Sequence, residues 1–543
     1  MATNTNISSK YGHITCKVLK HSGSPTVYQL TPKEDKIVNL RRRTLGKRNL
    51  NKINKTILLV GETGAGKSTL INTLVNYAMG VKWEDDVWFK IVEEEKRSQS
   101  QSQTSDVIVY QVFGFEGETL PYSLTIIDTP GYGSTRGTEQ DVIVGQRLLD
   151  LFRSKDGVHE VNAVGLVLKA TENRLSDRQT YIFDSVASLF GKDMEKNIVA
   201  LITHSNGRTP KNVLKALEDA NIKCARNEKN QPVYFLFDNC QDEGRTDDIE
   251  DLQHADKITT RGMSQFTEFL DRSVPQKLET TVQVLNERIR LTACIHTLQE
   301  RFKFTEQKQK EIQPIQEALK KHEEEMKRNE EFTVEVDEVY KDKERIEGGM
   351  WGLFFYEGAV CCTVCEENCH YPGCTVSWYP EHCEVMKGGR CTSCTRKCPV
   401  SDHVKEKWIY VTKTRKVQKT LKDMKEKYER GKAGCEETTS LLDNLQKEIN
   451  RLEAEKEKCL DEAYQHVVEL DQIALNVDSL STYVHLDFLI EKMNEKGDTE
   501  KVQKLEEMKS RVSKVVQIGK KYAGDNFSKL FKRKNDDKKG TEV

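Results

Sequence analysis

The segment Gly61-Glu62-Thr63-Gly64-Ala65-Gly66-Lys67-Ser68 constrains this chain more than any other. It follows the apolar run 57–60 and leads into a stretch with helical spacing, so it reads as a strand–loop–helix turn. The glycines let backbone N–H groups close around a β-phosphate. Lys67 can then bridge β and γ oxygens, and the Ser68 hydroxyl can ligate Mg²⁺. Gly61, Glu62, Thr63, Gly64, Ala65, Gly66, Lys67, Ser68 and Thr69 are therefore the expected nucleotide contacts.

A loop of this kind belongs between buried strands. Across 54–274 the apolar runs 57–60, 124–127, 163–168, 198–202 and 233–237 alternate with helix-like stretches at 68–77, 139–152, 177–189 and 210–220. That alternation predicts an α/β P-loop NTPase domain, doubly wound around a mostly parallel sheet. The run 124–127 delivers Asp128-Thr-Pro-Gly131. Asp128 can hold Mg²⁺ through water, and the Gly131 N–H can sense a γ-phosphate. The polar stretch 97–106 should carry the first switch. Thr104 is its best Mg²⁺ ligand, with Ser102 and Ser105 as competitors. Tyr132-Gly133 after Gly131 offers no water-orienting side chain, so slow or partner-completed hydrolysis is expected.

Gly61–Ser68, Asp128–Gly131, the run 165–177, Leu189-Phe-Gly191 and Ile202-Thr-His204 together resemble the immune-associated nucleotide-binding GTPases (GIMAP or IAN type), relatives of septins and chloroplast import GTPases. The resemblance covers about 54–240. It implies GTP or GDP with Mg²⁺, slow hydrolysis, and a homodimer or oligomer formed through this domain. It also implies that His204 stacks on or edges the base and that Asn239 is a second base contact. No carboxylate follows His204 in Thr203-His204-Ser205-Asn206, which leaves Asn206 as a substitute acceptor.

The remainder has a different composition. Apolar residues are only 36% of the 543 and charged residues 31%, which points to long solvated helices. Residues 1–53 read as a polar leader with two weak strands, ending in a basic patch at 41–55 that could meet an anionic membrane. Leu278, Val282, Leu285 and Ile289 mark a first arm, 275–331, with Pro275 in its first turn and Pro314 kinking it. Leu442, Leu445, Ile449 and Leu452 mark a second, 412–474. The two predict an antiparallel coiled coil of roughly 80 Å. The Cys-rich segment 332–411 would sit at its tip, flanked by strands at 332–336 and 408–411. Further helices at 475–527, capped by Asp478 or Ser479, and a basic tail at 528–543 complete the chain.

Fifteen cysteines are present, nine of them between 361 and 398. Cys362-x2-Cys365-x3-Cys369-x4-Cys374 repeats as Cys391-x2-Cys394-x3-Cys398-x4-His403. Each copy has four N/S donors suited to tetrahedral Zn²⁺. One ion per copy and two interleaved sites are both compatible with the spacing. Cys361, His370, His382 and Cys383 are spare. The role is expected to be structural, with Trp351, Phe354, Phe355 and Trp378 either local core or a partner surface. No apolar run is long enough to span a membrane, the first residues lack a secretory pattern, and a cytoplasmic location is expected. The near-neutral balance, 84 basic against 86 acidic residues, does not indicate nucleic acid. Two functions compete: a GTP-binding switch whose arm and zinc module recruit a protein partner, and a septin-like scaffold with incidental turnover. An ATPase of the arm-bearing type is the weakest reading, since no Ser-Gly-Gly signature follows 412.

Overall fold

The computed structural model describes residues 9–12, 14–20, 24–37, 40–93, 107–130, 138–245, 249–321, 333–346, 350–351, 355–356, 358–371, 374, 379–420, 422–423, 441–476 and 480–510. These divide into two compact units. One takes the described residues of 1–285, 473–483 and 508–510, the other those of 286–472 and 484–507.

The first unit opens with β1 (Cys16–Lys20), β2 (Thr26–Leu30), β3 (Lys33–Ile37), β4 (Leu40–Leu45) and β5 (Asn54–Gly61). Helix α1 (Lys67–Ala78) leaves the glycine-rich loop, followed by β6 (Val87–Lys90), β7 (Ile108–Val112), β8 (Ser123–Asp128) and α2 (Thr138–Arg153). After β9 (Glu160–Val161) come β10 (Ala163–Lys169), α3 (Asp177–Ala187), β11 (Ile198–Thr203), α4 (Lys211–Asp219), β12 (Tyr234–Leu236) and α5 (Ile249–Arg272). Eight strands form the main sheet in the order β12-β11-β10-β5-β8-β7-β4-β3. It is parallel from β12 to β8 and between β7 and β4, and antiparallel at β7–β8 and β3–β4. The apolar runs of the sequence fall on its central strands.

The alternation of a strand separates the two faces of this sheet. Ile57 and Leu59 of β5 join one core with Leu70, Ile71 and Leu74 of α1 and Met263, Phe266 and Leu270 of α5. Leu58 and Val60, equally buried, point the other way, and α3 packs against β5. At about 25 cal/mol per Å² of apolar surface, burial on both faces makes β5 the strand whose loss would cost most.

The first 53 residues are not merely a leader, because β3 and β4 extend the main sheet. Their charges made this segment look solvated, but they pair across the hairpin. Asp35 lies opposite Arg42 and Glu34 opposite Arg43. Arg42 donates to Asp35 at 2.7 and 3.0 Å, and the buried Arg43 donates to Glu93 at 2.8 Å. These two arginines are paired within the fold. Lys47, Arg48 and Lys52 of the same patch are exposed. The start of the first arm also differs. Gln276–Lys277, after Pro275, form β13 and pair with β9, so α6 begins at Glu279 and runs to Lys321. It continues through Pro314, where Ile312 and Ile315 pack with Val336 and Leu445 and hold the turn in place.

In the second unit α6 lies antiparallel to α7 (Leu441–Ile473). Cys294 meets Cys459, Gln309 meets Glu453 and Gln316 meets Gln446. Helix α8 (Leu480–Lys496) follows. Between α6 and α7 stands β14 (Thr333–Arg345), paired along its whole length with the last strand of the segment, Trp408–Thr420. Residues 412–420 therefore belong to a ribbon rather than to a helical arm. Val411, Thr412, Thr414, Val417 and Thr420 are β-branched residues that favour a strand. The lysines and arginines between them find cross-strand acids: Lys413 with Asp342, Arg415 with Glu338, Lys419 with Glu338.

The ribbon runs back along α6 and carries the Cys-rich segment with it. That segment contains β15 (Met350–Trp351) paired with β16 (Phe355–Tyr356), then β17 (Ala359–Cys362), β18 (Glu367–His370), β19 (Met386–Lys387) paired with β20 (Arg390–Cys391), and β21 (His403–Glu406). The last strand, Trp408–Thr420, is β22. The cysteines pack with Ala293 of α6, and Arg301 of α6 donates to Glu367 at 3.1 and 3.2 Å. The module thus lies about 30 Å back from the end of α6, at 1.5 Å per residue, and not at a tip. Phe354, Trp378, Asp478, Ser479, the segment 421–440 apart from 422–423, and the basic tail lie outside the described residues.

Glu311 is the buried contact that holds the ribbon to α6. Its carboxylate accepts from Lys308 at 2.5 Å, from Lys419 at 3.0 Å and from the Val339 N–H at 3.0 Å. Burial alone would raise its pKa, but these three donors hold it below the ordinary glutamate value. A depressed carboxyl contributes stability that is complete above the unfolded value and fades as pH falls through the folded one. Glu311→Gln removes the buried partner of Lys308 and one of the two partners of Lys419, and is expected to cost about 2 kcal/mol, read by urea unfolding at neutral pH. A loss of stability no larger at pH 7 than below pH 4 would contradict this role.

Candidate functional site

The loop after β5 takes the shape its glycines allow. Gly64 and Gly66 sit at φ +81° and +92°, which a side-chain-bearing residue adopts only with strain. A Cβ on Gly61 would lie 2.6 Å from the Val167 carbonyl oxygen, so β10 can approach only a glycine. The Ala65 N–H closes onto the Glu62 carbonyl at 3.1 Å, and Leu70 begins the helical ladder onto Gly66. Thr203, at the end of β11, buttresses the loop: its Oγ1 lies 2.8 Å from the Ala65 carbonyl oxygen and 3.1 Å from that of Leu168.

Lys67 is folded inward. Its Nζ donates to the carbonyls of Gly61 at 2.7 Å and Glu62 at 3.1 Å. Burial pushes its pKa down to about 8, against the pull of Asp128 and Glu62. Asp128 is fully buried and lies opposite Leu59 in the parallel pairing of β5 and β8. The carboxylate and the loop therefore share the carboxyl edge of the sheet, where open α/β folds bind ligands. Thr129 is anchored by donating to the Leu59 carbonyl at 2.8 Å. The buried Thr63 Oγ1 has no hydrogen-bond partner among the described residues. A phosphate fits this set: two glycines at positive φ, a desolvated ammonium, an orphan hydroxyl and a buried carboxylate for Mg²⁺. Ser68 is the second residue of α1; Thr104 and Gly131 lie outside the described residues.

At the base-reading end, His204 sits at φ +52° with Nδ1 3.1 Å from Thr203 Oγ1, and its side chain is exposed. Asn206 is already used, because its Oδ1 accepts from the Arg208 N–H at 3.1 Å. An acid also stands on the neighbouring strand end. Ser205 donates to the Phe237 carbonyl at 3.0 Å, which brings Asp238-Asn239 beside His204. Thr259 clamps that segment, accepting from the Asp238 N–H at 2.9 Å and lying 2.7 Å from its carbonyl oxygen and 3.4 Å from Asn239 Oδ1. Asp238 directly follows the apolar run 233–237, and its Oδ1 lies 3.6 Å from Cys240 Sγ. An open cleft of about 660 Å³ adjoins the loop, lined by Asn206, Arg208, His254, Lys257 and Arg261 among others.

The cysteine-rich segment gathers its ligands differently from the repeat in the sequence. Cys362, Cys365, Cys394 and Cys398 form one group, and Cys369, Cys391, Cys394 and His403 another. The two copies are interleaved, and Cys374 leaves the first quartet altogether. The cause is strand pairing: β17 lies between β18 and β21, and its register sets Cys362 opposite His403. Cys394 belongs to both groups, and hydrogen bonding from Cys362 and then the other neighbouring thiols drives it strongly toward thiolate. Backbone N–H groups also point at the sulfurs, with Cys365 N to Cys362 Sγ at 3.3 Å, Cys394 N to Cys391 Sγ at 3.3 Å and Cys398 N to Cys394 Sγ at 3.2 Å. His403 Nδ1 lies 2.9 Å from the Pro399 carbonyl oxygen, and its buried Nε2 has no partner among the described residues. That arrangement orients a ligating imidazole, so both groups could hold a metal.

Residues 51–142 match the septin family model. Among solved structures, Toc33 from Arabidopsis thaliana in complex with Mg²⁺ and GMPPNP is similar at 14% identity and a TM-score of 0.29, covering 41% of this chain and 88% of that one. The same protein with GDP and Mg²⁺ gives 16% identity and a TM-score of 0.25, covering 38% and 85%. No curated protein sequence matches. The motif and the sheet of residues 54–274 are those of a P-loop NTPase fold, and the septin family model matches their first part, residues 51–142.

The lowered Lys67 pKa has a measurable consequence. Between about pH 8 and the ordinary lysine value the unfolded chain holds a proton that the free folded protein lacks, so stability rises with pH there. Bound phosphate oxygens restore the charge. Triphosphate affinity, measured by titration calorimetry, is therefore expected to be flat below about pH 8 and to fall by up to about tenfold per pH unit above it. A flat profile through that range would contradict the assignment of Lys67 as phosphate ligand.

Proposed function

We propose that this chain is a GTP-binding switch of GIMAP/septin-like type that hydrolyses slowly and self-associates through its G-type domain. The observation that carries the reading is the buried Lys67 ammonium folded against the Gly61–Gly66 loop, with Asp128 on the adjacent strand end. Ser68 and Asp128 hold Mg²⁺, Thr104 completes its shell, and Gly131 senses the γ-phosphate. The family model over 51–142 supports the same placement.

Guanine is read by His204 against the base face, with Asp238 accepting the N–H groups of its edge and Asn239 beside it. A carboxylate that accepts two N–H groups from guanine finds no matching donor pair on adenine. GTP should accordingly displace a fluorescent GTP analogue at least about tenfold more effectively than ATP, and Asp238→Asn should narrow that ratio. Equal displacement by ATP would remove the guanine assignment.

The Cys-rich segment is a zinc-stabilised module. One ion sits on Cys362, Cys365, Cys394 and Cys398, and a second on Cys369, Cys391, Cys394 and His403, with Cys394 as the bridge. Metal replaces the apolar core that a segment this small lacks. The antiparallel helix pair and this module form the partner-binding part, and the protein acts in the cytoplasm. Among the described residues no helix is long and apolar enough to cross a membrane.

The septin match favours one second reading, a scaffold in which nucleotide stabilises an interface and turnover is incidental. Single-turnover hydrolysis over a range of protein concentrations separates the two. A dimer-activated switch accelerates as concentration rises. A rate constant independent of concentration would leave the scaffold as the better account.

A further inference from the structure

One set of metal-type side chains in the module is not used by the bridged pair. His370, Cys374 and Cys383 lie together at 7%, 1% and 2% exposure, and their donor atoms converge without sharing a residue with the other two groups. We propose that these three residues hold a third zinc ion. The inference rests on the reading of the segment as a zinc module and adds a separate site to it.

The distances match a tetrahedral ion. Zinc–sulfur bonds of about 2.3 Å and zinc–nitrogen bonds of about 2.1 Å place neighbouring donors roughly 3.5 to 3.8 Å apart. Cys374 Sγ lies 3.9 Å from Cys383 Sγ, and His370 Nδ1 lies 3.2 Å from Cys383 Sγ. Cys365 and Cys398, within the first group, show the same edge at 3.7 Å. Glu384 Oε2 is 3.5 Å from the same imidazole nitrogen and is itself buried. Two thiolates and an imidazole are accepted zinc donors, and a three-ligand zinc site takes water in its fourth position.

Backbone geometry explains why this set is independent of its neighbours. Cys369 and His370 are consecutive on β18, so their side chains leave opposite faces. Cys369 joins the bridged pair while His370 faces Cys383. Cys383 follows the turn Pro380–His382, and its N–H donates to the Pro380 carbonyl at 3.0 Å. The ion would close the loop from His370 to Cys383, which has only a single 3-10 turn among its described residues.

The test uses the full-length chain, purified under reducing conditions, with zinc counted by mass spectrometry and cadmium NMR on cadmium-exchanged protein. Three zinc ions per chain and three cadmium resonances are expected. The double variant Cys374→Ser/Cys383→Ser should retain two ions and the resonances of the bridged pair. Two ions in the unaltered chain would overturn the third site and leave the pair standing, whereas none would overturn both. Three ions retained by the double variant would overturn the assignment to these residues. A disulfide between Cys374 and Cys383, seen by mass after alkylation of free thiols in the unaltered chain, would also overturn it. Should the double variant fail to fold, the count and resonances of the unaltered chain decide.

Discussion

The parallel pairing of β5 with β8, which sets Leu59 opposite Asp128, is the constraint from which the nucleotide site follows. Both strands are buried throughout, so a shift of one residue would turn every apolar side chain to the wrong face. The loop carrying Lys67 and the carboxylate of Asp128 therefore reach the same sheet edge without further adjustment. Thr203 on β11 and the close approach of β10 at Gly61 shape the loop from the other side. The site is held by the packing of the sheet rather than by contacts among its own polar groups. Within it Lys67 is buried and turned onto the loop's carbonyls, and Thr63 Oγ1 has no partner among the described residues.

What was legible in the sequence follows from this physics. A central parallel strand must be apolar on both faces, so 57–60, 124–127, 163–168 and 198–202 stand out, and the glycine pattern locates the loop between strand and helix. Edge strands carry no such signature. Glu34, Asp35, Arg42 and Arg43 read as a solvated leader because the pairing that neutralises them is across a hairpin and not along the chain. The same blindness extends to 412–420, where alternating lysines and threonines suit a solvated helix equally well until Asp342 and Glu338 are placed opposite them. The neighbourhood of Asp238 and His204 is not legible along the chain, because a backbone hydrogen bond from Ser205 to Phe237 across two strand ends brings them together.

The cysteine repeat is the clearest case of a correct composition with a misleading order. Equal spacing in the two copies is compatible with one ion per copy and with interleaved sites alike. Ligand sets, however, are chosen by which strand faces which, and β17 stands between β18 and β21. Alternation along β18 sends Cys369 and His370 to different places. On β17 it sends Cys362 toward the clustered cysteines and Cys361 toward Tyr410 and Trp408. The spacing of a repeat counts donors well but does not group them.

The low apolar content finally bears on how the second unit is built. Around the cysteines the core contains few ordinary apolar side chains, with Val360, Val385, Met386 and Ala293 among the sulfurs. A core of that kind gains little from burial alone, so its position must be set by polar contacts to something already folded. Glu367 provides them, accepting from Arg301 of α6 and from the Thr395 N–H at 2.7 Å, and Ser393 meets Thr297 of α6 at 2.7 Å. The ribbon, fastened through Glu311, delivers the module to that stretch of helix. If metal supplies the missing cohesion, ordering of the module and its docking onto α6 are one event. Chelation would then loosen the Glu367–Arg301 anchor while leaving the apolar cluster of Ile312, Ile315, Val336 and Leu445 intact, since that cluster contains no donor to a metal.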